Sequence, residues 1–229
     1  MKAILFNTAM VRAILDGEKT CTRRIIKKEI PEGYEPLGFV LYPTDDKELG
    51  NLVFGGKGAN VYYVKPPYKV GDILYVRETW CKTKYDLVSD KDFDSGDCKY
   101  IFKVDDNGKS NPLIEALVKR WRPSIHMPKE AARIFLKVTS VRAERLKDIN
   151  EEQAKKEGAR KQSWYQPFGT KIEDEQKYVG SLVNHKINYK TGFADIWDST
   201  VKEEKYSWEG NPWVWVIEFE KVEKQEIGE

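Results

Sequence analysis

Gly17-Glu18-Lys19-Thr20-Cys21-Thr22-Arg23-Arg24 is the stretch on which the reading of this chain turns. If the backbone is extended after Gly17, Lys19, Cys21 and Arg23 point one way, and Thr20, Thr22 and Arg24 the other. A bend where the preceding helix ends would instead bring Lys19 and Thr22 together. Like charge from neighbouring guanidinium groups disfavours an ionised lysine. A neutral lysine is a competent general base, and a threonine hydroxyl within its reach is a nucleophile. The same residues also have a purely structural reading: cations after a helix C-terminus complement its dipole, and threonine favours strands. Both readings stay open on the residues alone.

Working outward, Ile4-Leu5-Phe6 reads as a short strand. Asn7 or Thr8 then caps a helix with Met10, Val11, Ile14 and Leu15 on one face, stopped by Gly17. Cys21 to Ile26 is β-prone and basic. Residues 31–68 are rich in Pro, Gly and Tyr and read as an insertion on a core rather than a domain. After the Gly71-Asp72 turn, Ile73 to Trp80 alternates as a strand. Further strands are expected at Tyr100 to Val104, closed by Asp105-Asp106-Asn107-Gly108, and at Arg133 to Val141. Asn150 caps a helix over Glu151 to Glu157 that ends at Gly158. Residues 159–190 read as a second insertion. A helix through Phe193, Ile196, Trp197 and Val201 to about Glu204 precedes a last strand, Pro212 to Val222, in which Trp213 and Trp215 read as core. Five or so short strands with two or three helices describe an α+β chain, a small mixed β-barrel with insertions.

Charge is unevenly spread. Residues 1–28 carry seven Lys/Arg against two carboxylates, and residues 119–147 carry nine against two, so the rest of a chain of net charge +2 is acidic. Two basic segments joined into one face would be the footprint of an anionic ligand. Apolar residues are 40% of the 229 and charged ones 33%, and no apolar run approaches the ~20 residues of a membrane helix. No secretory signal is read at the start, and a cytoplasmic location is expected. Three cysteines without a CxxC, and two histidines, give little material for a disulfide framework, a metal site or a Ser-His-Asp triad. GxGxxG, P-loop, GxSxG and HExxH patterns are absent. Chemistry here is therefore expected to need no metal and no cofactor, and to be built from Lys, Thr, Glu and Arg.

Three other places stand out. Glu157 lies in the last turn of its helix, where the dipole disfavours a carboxylate. Glu78 interrupts the apolar run Val76-Arg77-Glu78-Thr79-Trp80, as either half of a buried ion pair or a cleft-lining carboxylate. Arg120, Trp121 and Arg122 open a loop of ring, guanidinium groups and prolines suited to an unpaired base; the competing reading of such a Trp is core.

Gly17-x-Lys19-x-x-Thr22-x-Arg24 resembles the GxKxxTxR signature of ASCH domains, relatives of the PUA RNA-binding fold. Gly71-Asp72-Ile73-Leu74 looks like that family's GD turn and second barrel strand, and Ile134 to Val138 like its middle strand. Ile149 to Gly158 resembles the helix bearing an A-x-x-E element, here Ala154 and Glu157, and Pro212 to Phe219 the closing strand. Arg77-Glu78-Thr79-Trp80, Ile125-His126-Met127-Pro128 and Asn211-Pro212-Trp213-Val214-Trp215 look like the larger, phage- and prophage-associated branch. The resemblance implies one PUA-like barrel of about five to six strands over residues 1–229, with flanking helices and insertions at about 31–68 and 159–190. One small ASCH group hydrolyses the acetamide of N(4)-acetylcytidine with a Lys, a Thr and a Glu, which carry over to Lys19, Thr22 and Glu157. This implies an amidohydrolase acting on an N-acylated pyrimidine nucleoside, with Lys19 as base, Thr22 as nucleophile and Glu157 as acid/base. Arg23 and Arg24 would stabilise the oxyanion or bind phosphate. The alternatives are a non-catalytic single-stranded RNA-binding module, with Arg120, Trp121 and Arg122 at the rim of a basic cleft, or a ribonuclease. Glu78 is expected near that cleft, paired with a cation of the basic segments.

Overall fold

The structure, a computed structural model, describes residues 1–42, 48–58, 60–82, 100–106, 118, 120–160 and 188–227. The expected turn at Asn107-Gly108 and nearly all of the second insertion lie outside the described residues. What is described is an α+β chain, with its strands in sheets and three α-helices. Its contacts divide it into two compact units, one of residues 1–18, 72–137 and 220–229, the other of residues 19–71 and 138–219. Among the described strands no sheet closes on itself.

In the first unit, β1 (Lys2–Leu5) runs parallel to β6 (Ile73–Arg77), with Ile4 opposite Val76. Between them in the chain comes α1 (Thr8–Leu15). Asn7 caps it by accepting the Met10 N–H at 2.8 Å, and Val11, Ala13 and Ile14 are buried. Gly17 adopts φ +75°, the left-handed step that ends the helix and that glycine takes without strain. The first residues of β9 (Phe135–Arg145) pair antiparallel with β6, placing Leu136 opposite Leu74. The expected strand 73–80 breaks after Arg77. Glu78 turns inward, and a separate β7 (Trp80–Lys82) pairs with β8 (Tyr100–Phe102). The break lets the buried Glu78 reach Arg133.

The second unit is built on β2 (Cys21–Ile25) and β10 (Trp213–Val222), antiparallel with Thr22 opposite Ile217 and Arg24 opposite Trp215. Two-residue alternation gives this ribbon two faces. Cys21, Val214 and Val216 join one apolar cluster with Leu146, Ile149 and Ala154 beside α2 (Glu151–Lys156), and with Phe193 and Trp197 of α3 (Tyr189–Thr200). On the other face Trp213 meets Phe54 edge to face, ring centres 5.1 Å apart. Phe54 belongs to the first insertion, which forms a meander of β3 (Glu35–Phe39), β4 (Leu52–Gly55) and β5 (Val61–Val64). Trp213 and Trp215 are both buried, as core residues should be. The third helix stops at Thr200, short of the expected Glu204; a separate helical turn covers Glu204 to Tyr206.

Candidate functional site

Both halves of the Gly17-to-Arg24 stretch that carry side-chain chemistry, Lys19 to Arg24, lie in the second unit, and strand geometry sorts them. The chain is extended from Cys21, so Cys21 and Arg23 share a face and Thr22 and Arg24 take the opposite one.

On the inner face the structure brings Lys19 and Glu157 together. Helix α2 sets this up. Asn150 and Gln153 form a reciprocal capping box at its start, and Glu157 is its last, capping residue, followed by Gly158 at φ +78°. That places the end of α2 against the chain entering β2: Thr20 N–H donates to the Lys156 carbonyl at 2.9 Å, and Lys19 and Glu157 form an isolated antiparallel bridge. The Lys19 ammonium donates to Glu157 Oε2 at 2.7 Å and to the Glu157 carbonyl at 2.9 Å. Arg23 completes the group, donating to Glu157 Oε1 at 3.1 Å, Glu144 Oε2 at 3.1 Å and Gln153 Oε1 at 3.3 Å. Its guanidinium also lies 5.7 Å from the centre of the Phe193 ring. Arg142 also binds Glu144 and reaches Glu218, so three cations meet three carboxylates. The side chains of Lys19, Arg23 and Glu157 are 1%, 0% and 4% exposed, so these three are closed to solvent, while Glu144 is partly exposed. Cys21 sits beside it, Sγ 3.8 Å from Glu157 Oε1. Burial, reinforced by the Glu157 charge, pushes its thiol up to about 12, which keeps it protonated and unreactive.

Thr22 is not part of this cluster. It is buried, but on the opposite face beside Ile217, and among the described residues no hydrogen bond joins its hydroxyl to Lys19 or Glu157. The bend that would have united Lys19 and Thr22 does not occur, because Cys21 already follows the Lys19 face.

Arg24 shares the Thr22 face and opens onto a groove of about 360 Å³. The groove is lined by Arg24, Lys27 and Lys28 from β2 and its continuation, by Tyr63 and Lys65 from the first insertion, and by Trp215 of β10. Arg24 is half-buried, which lowers its pKa from the usual guanidinium value, against the opposing pull of Tyr68 and Glu157. Lys28 donates to the Tyr63 carbonyl at 2.8 Å and lies 5.7 Å from the Tyr62 ring centre, tying the strand to the insertion. No carboxylate is among the residues lining this groove.

The remaining predicted residues belong to the first unit. Glu78 is 1% exposed and is held by both Nε and Nη2 of Arg133 at 3.0 Å, so the partner does come from the basic segment 119–147. Arg133 also binds Asp105 and lies 4.0 Å from the Phe102 ring centre. Burial raises the Glu78 pKa more than Arg133 lowers it. Arg120 and Arg122 are exposed and Trp121 is half-buried. The Arg122 backbone exchanges hydrogen bonds with Trp80, and its guanidinium lies 5.2 Å from the Trp80 ring centre. Among the described residues no group of three or more His, Cys, Asp or Glu could hold a metal ion. Glu144, Gln153, Tyr63, Lys65 and Trp215 were not singled out by the sequence. Gln153 carries a faint signal, four positions before Glu157 on the same helix; Glu144, Tyr63 and Lys65 carry none, and Trp215 reads only as core.

Comparison of the chain with protein-family models, with curated proteins and with solved structures found no match. No helix among the described residues is long and apolar enough to cross a membrane.

Proposed function

We propose that this chain is an ASCH-like, PUA-related module that binds single-stranded RNA. The supporting observation is how the signature stretch divides: its inner cations, Lys19 and Arg23, are engaged by Glu157 and Glu144, while Arg24 lines an open groove with further cations and the aromatic residue Tyr63. Cations track a phosphate backbone and aromatic rings take unpaired bases. The inner cluster then has a structural task. A buried, charge-balanced set gives little net stability over an apolar one, but it fixes one register between β2 and the end of α2, and so aims Arg24 outward.

The second reading, an amidohydrolase on an N-acylated pyrimidine nucleoside, is favoured by the 2.7 Å contact of Lys19 with Glu157. It requires the cluster to open and Thr22 to change face. Incubation with N(4)-acetylcytidine, followed by assay of cytidine and acetate, separates the two. RNA binding without turnover is the expected result; release of cytidine that is abolished by Lys19→Met would favour the hydrolase.

A further inference from the structure

The groove has a size and a chemistry narrower than "RNA". A volume of about 360 Å³ is near the lower end of pockets that hold one small ligand, roughly 300–1,000 Å³. Its lining combines four cationic residues, Arg24, Lys27, Lys28 and Lys65, with Tyr63, Val64 and Pro67 above the buried Trp215, and most of its exposed wall is apolar. A bare anion would leave the apolar wall unused, and an uncharged ring would leave the cations unused. The ligand that uses both is a flat ring bearing a phosphate. Moreover, half of the groove comes from outside the β2–β10 ribbon: Tyr63, Lys65 and Pro67 belong to the stretch that follows β4, and Lys28 binds the Tyr63 carbonyl and so holds this wall in place. The first insertion therefore builds the pocket rather than decorating the fold.

We propose that this groove is a site for a single nucleotide, its base against the wall at Tyr63 and Pro67 and its phosphate among Arg24, Lys27 and Lys65. The nucleotide is either free or one unit of a single strand. The inference rests on the RNA-binding reading only for the second source.

The test is calorimetric titration of the whole chain with adenosine monophosphate, with inorganic phosphate, and with a short single-stranded oligoadenylate. It is run on the wild type and on Lys27→Glu, Lys65→Glu and, as a control on α2 away from the groove, Lys155→Glu. Lys27, Lys65 and Lys155 are all exposed, so the variants keep the fold. The site predicts that adenosine monophosphate binds more tightly than phosphate and displaces the oligonucleotide. Lys27→Glu and Lys65→Glu should each weaken both nucleotide ligands about tenfold, or roughly 1.4 kcal/mol, while Lys155→Glu changes neither. Binding of the mononucleotide without the oligonucleotide assigns the free ligand and overturns the RNA reading alone. Oligonucleotide binding that survives both groove variants overturns the site and leaves the RNA reading standing. Phosphate binding as tightly as the nucleotide also overturns the site, and binding of neither nucleotide ligand overturns both.

Discussion

Glu157 does more than one cation's worth of neutralising, and single substitutions expose this. It faces Lys19 at 2.7 Å and Arg23 at 3.1 Å, all three side chains buried. Glu157→Ala takes this carboxylate from both cations, leaving Arg23 its bond to a Glu144 that Arg142 shares, and should cost about 3–5 kcal/mol, as breaking a buried pair does. Lys19→Ala leaves Glu157 its bond to Arg23 and should cost less. Denaturant unfolding of both variants checks the order; equal costs would contradict it. Glu78 makes a pH-dependent case. Its pKa in the fold is raised above the ordinary 4.5 because burial outweighs the Arg133 bonds. The folded chain then holds that proton more tightly than the unfolded one, so the contribution is present below the ordinary value and is lost as pH rises through the folded value. The stability advantage of wild type over Glu78→Gln should accordingly shrink as pH rises above the ordinary carboxylate value. Glu78→Ala at neutral pH should cost about 3 kcal/mol, the low end for a buried pair, since Arg133 is one-third exposed and keeps Asp105.

At the scale of elements, close approaches decide what each helix tolerates. A Cβ on Gly192 of α3 would clash with the Arg160 carbonyl oxygen, a backbone atom rather than the end of a flexible side chain. Gly192→Ala should cost about 1–3 kcal/mol, the price of overpacking, and an unchanged melting temperature would show that residues 159–160 do not pack there. Much of this level was legible in the sequence. The Asn7 cap, the Gly17 stop, the Asn150 cap and the alternation of Trp213 to Phe219 are local signals, and each element stands within a few residues of its expected place. The break at Glu78 was not legible, because it depends on Arg133, 55 positions away. Residues 31–68 read in sequence as an insertion, and the reading did not extend to their three-stranded meander, since its strands are only four or five residues long. In the candidate site, the grouping of Lys19 with Glu157 was implied only by the resemblance to ASCH domains; the exclusion of Thr22 came from strand alternation, which the residues had left open.

For the whole molecule the central claim is that one short stretch does two jobs, its inner face fastening β2 to α2 and its outer face meeting RNA. Arg24 and its neighbours engaging two or three phosphates would give a slope of log K against log salt of about −1.4 to −2.1 on single-stranded RNA. The most direct measurement is therefore the affinity for single-stranded RNA across a salt series, made on Arg24→Ala and on Lys19→Met at temperatures where both are folded. Arg24→Ala should weaken binding and flatten the slope by about 0.7. Lys19→Met should lower the melting temperature and leave affinity and slope as in the wild type. Loss of RNA affinity in Lys19→Met with an unchanged melting temperature, and none in Arg24→Ala, would contradict the account.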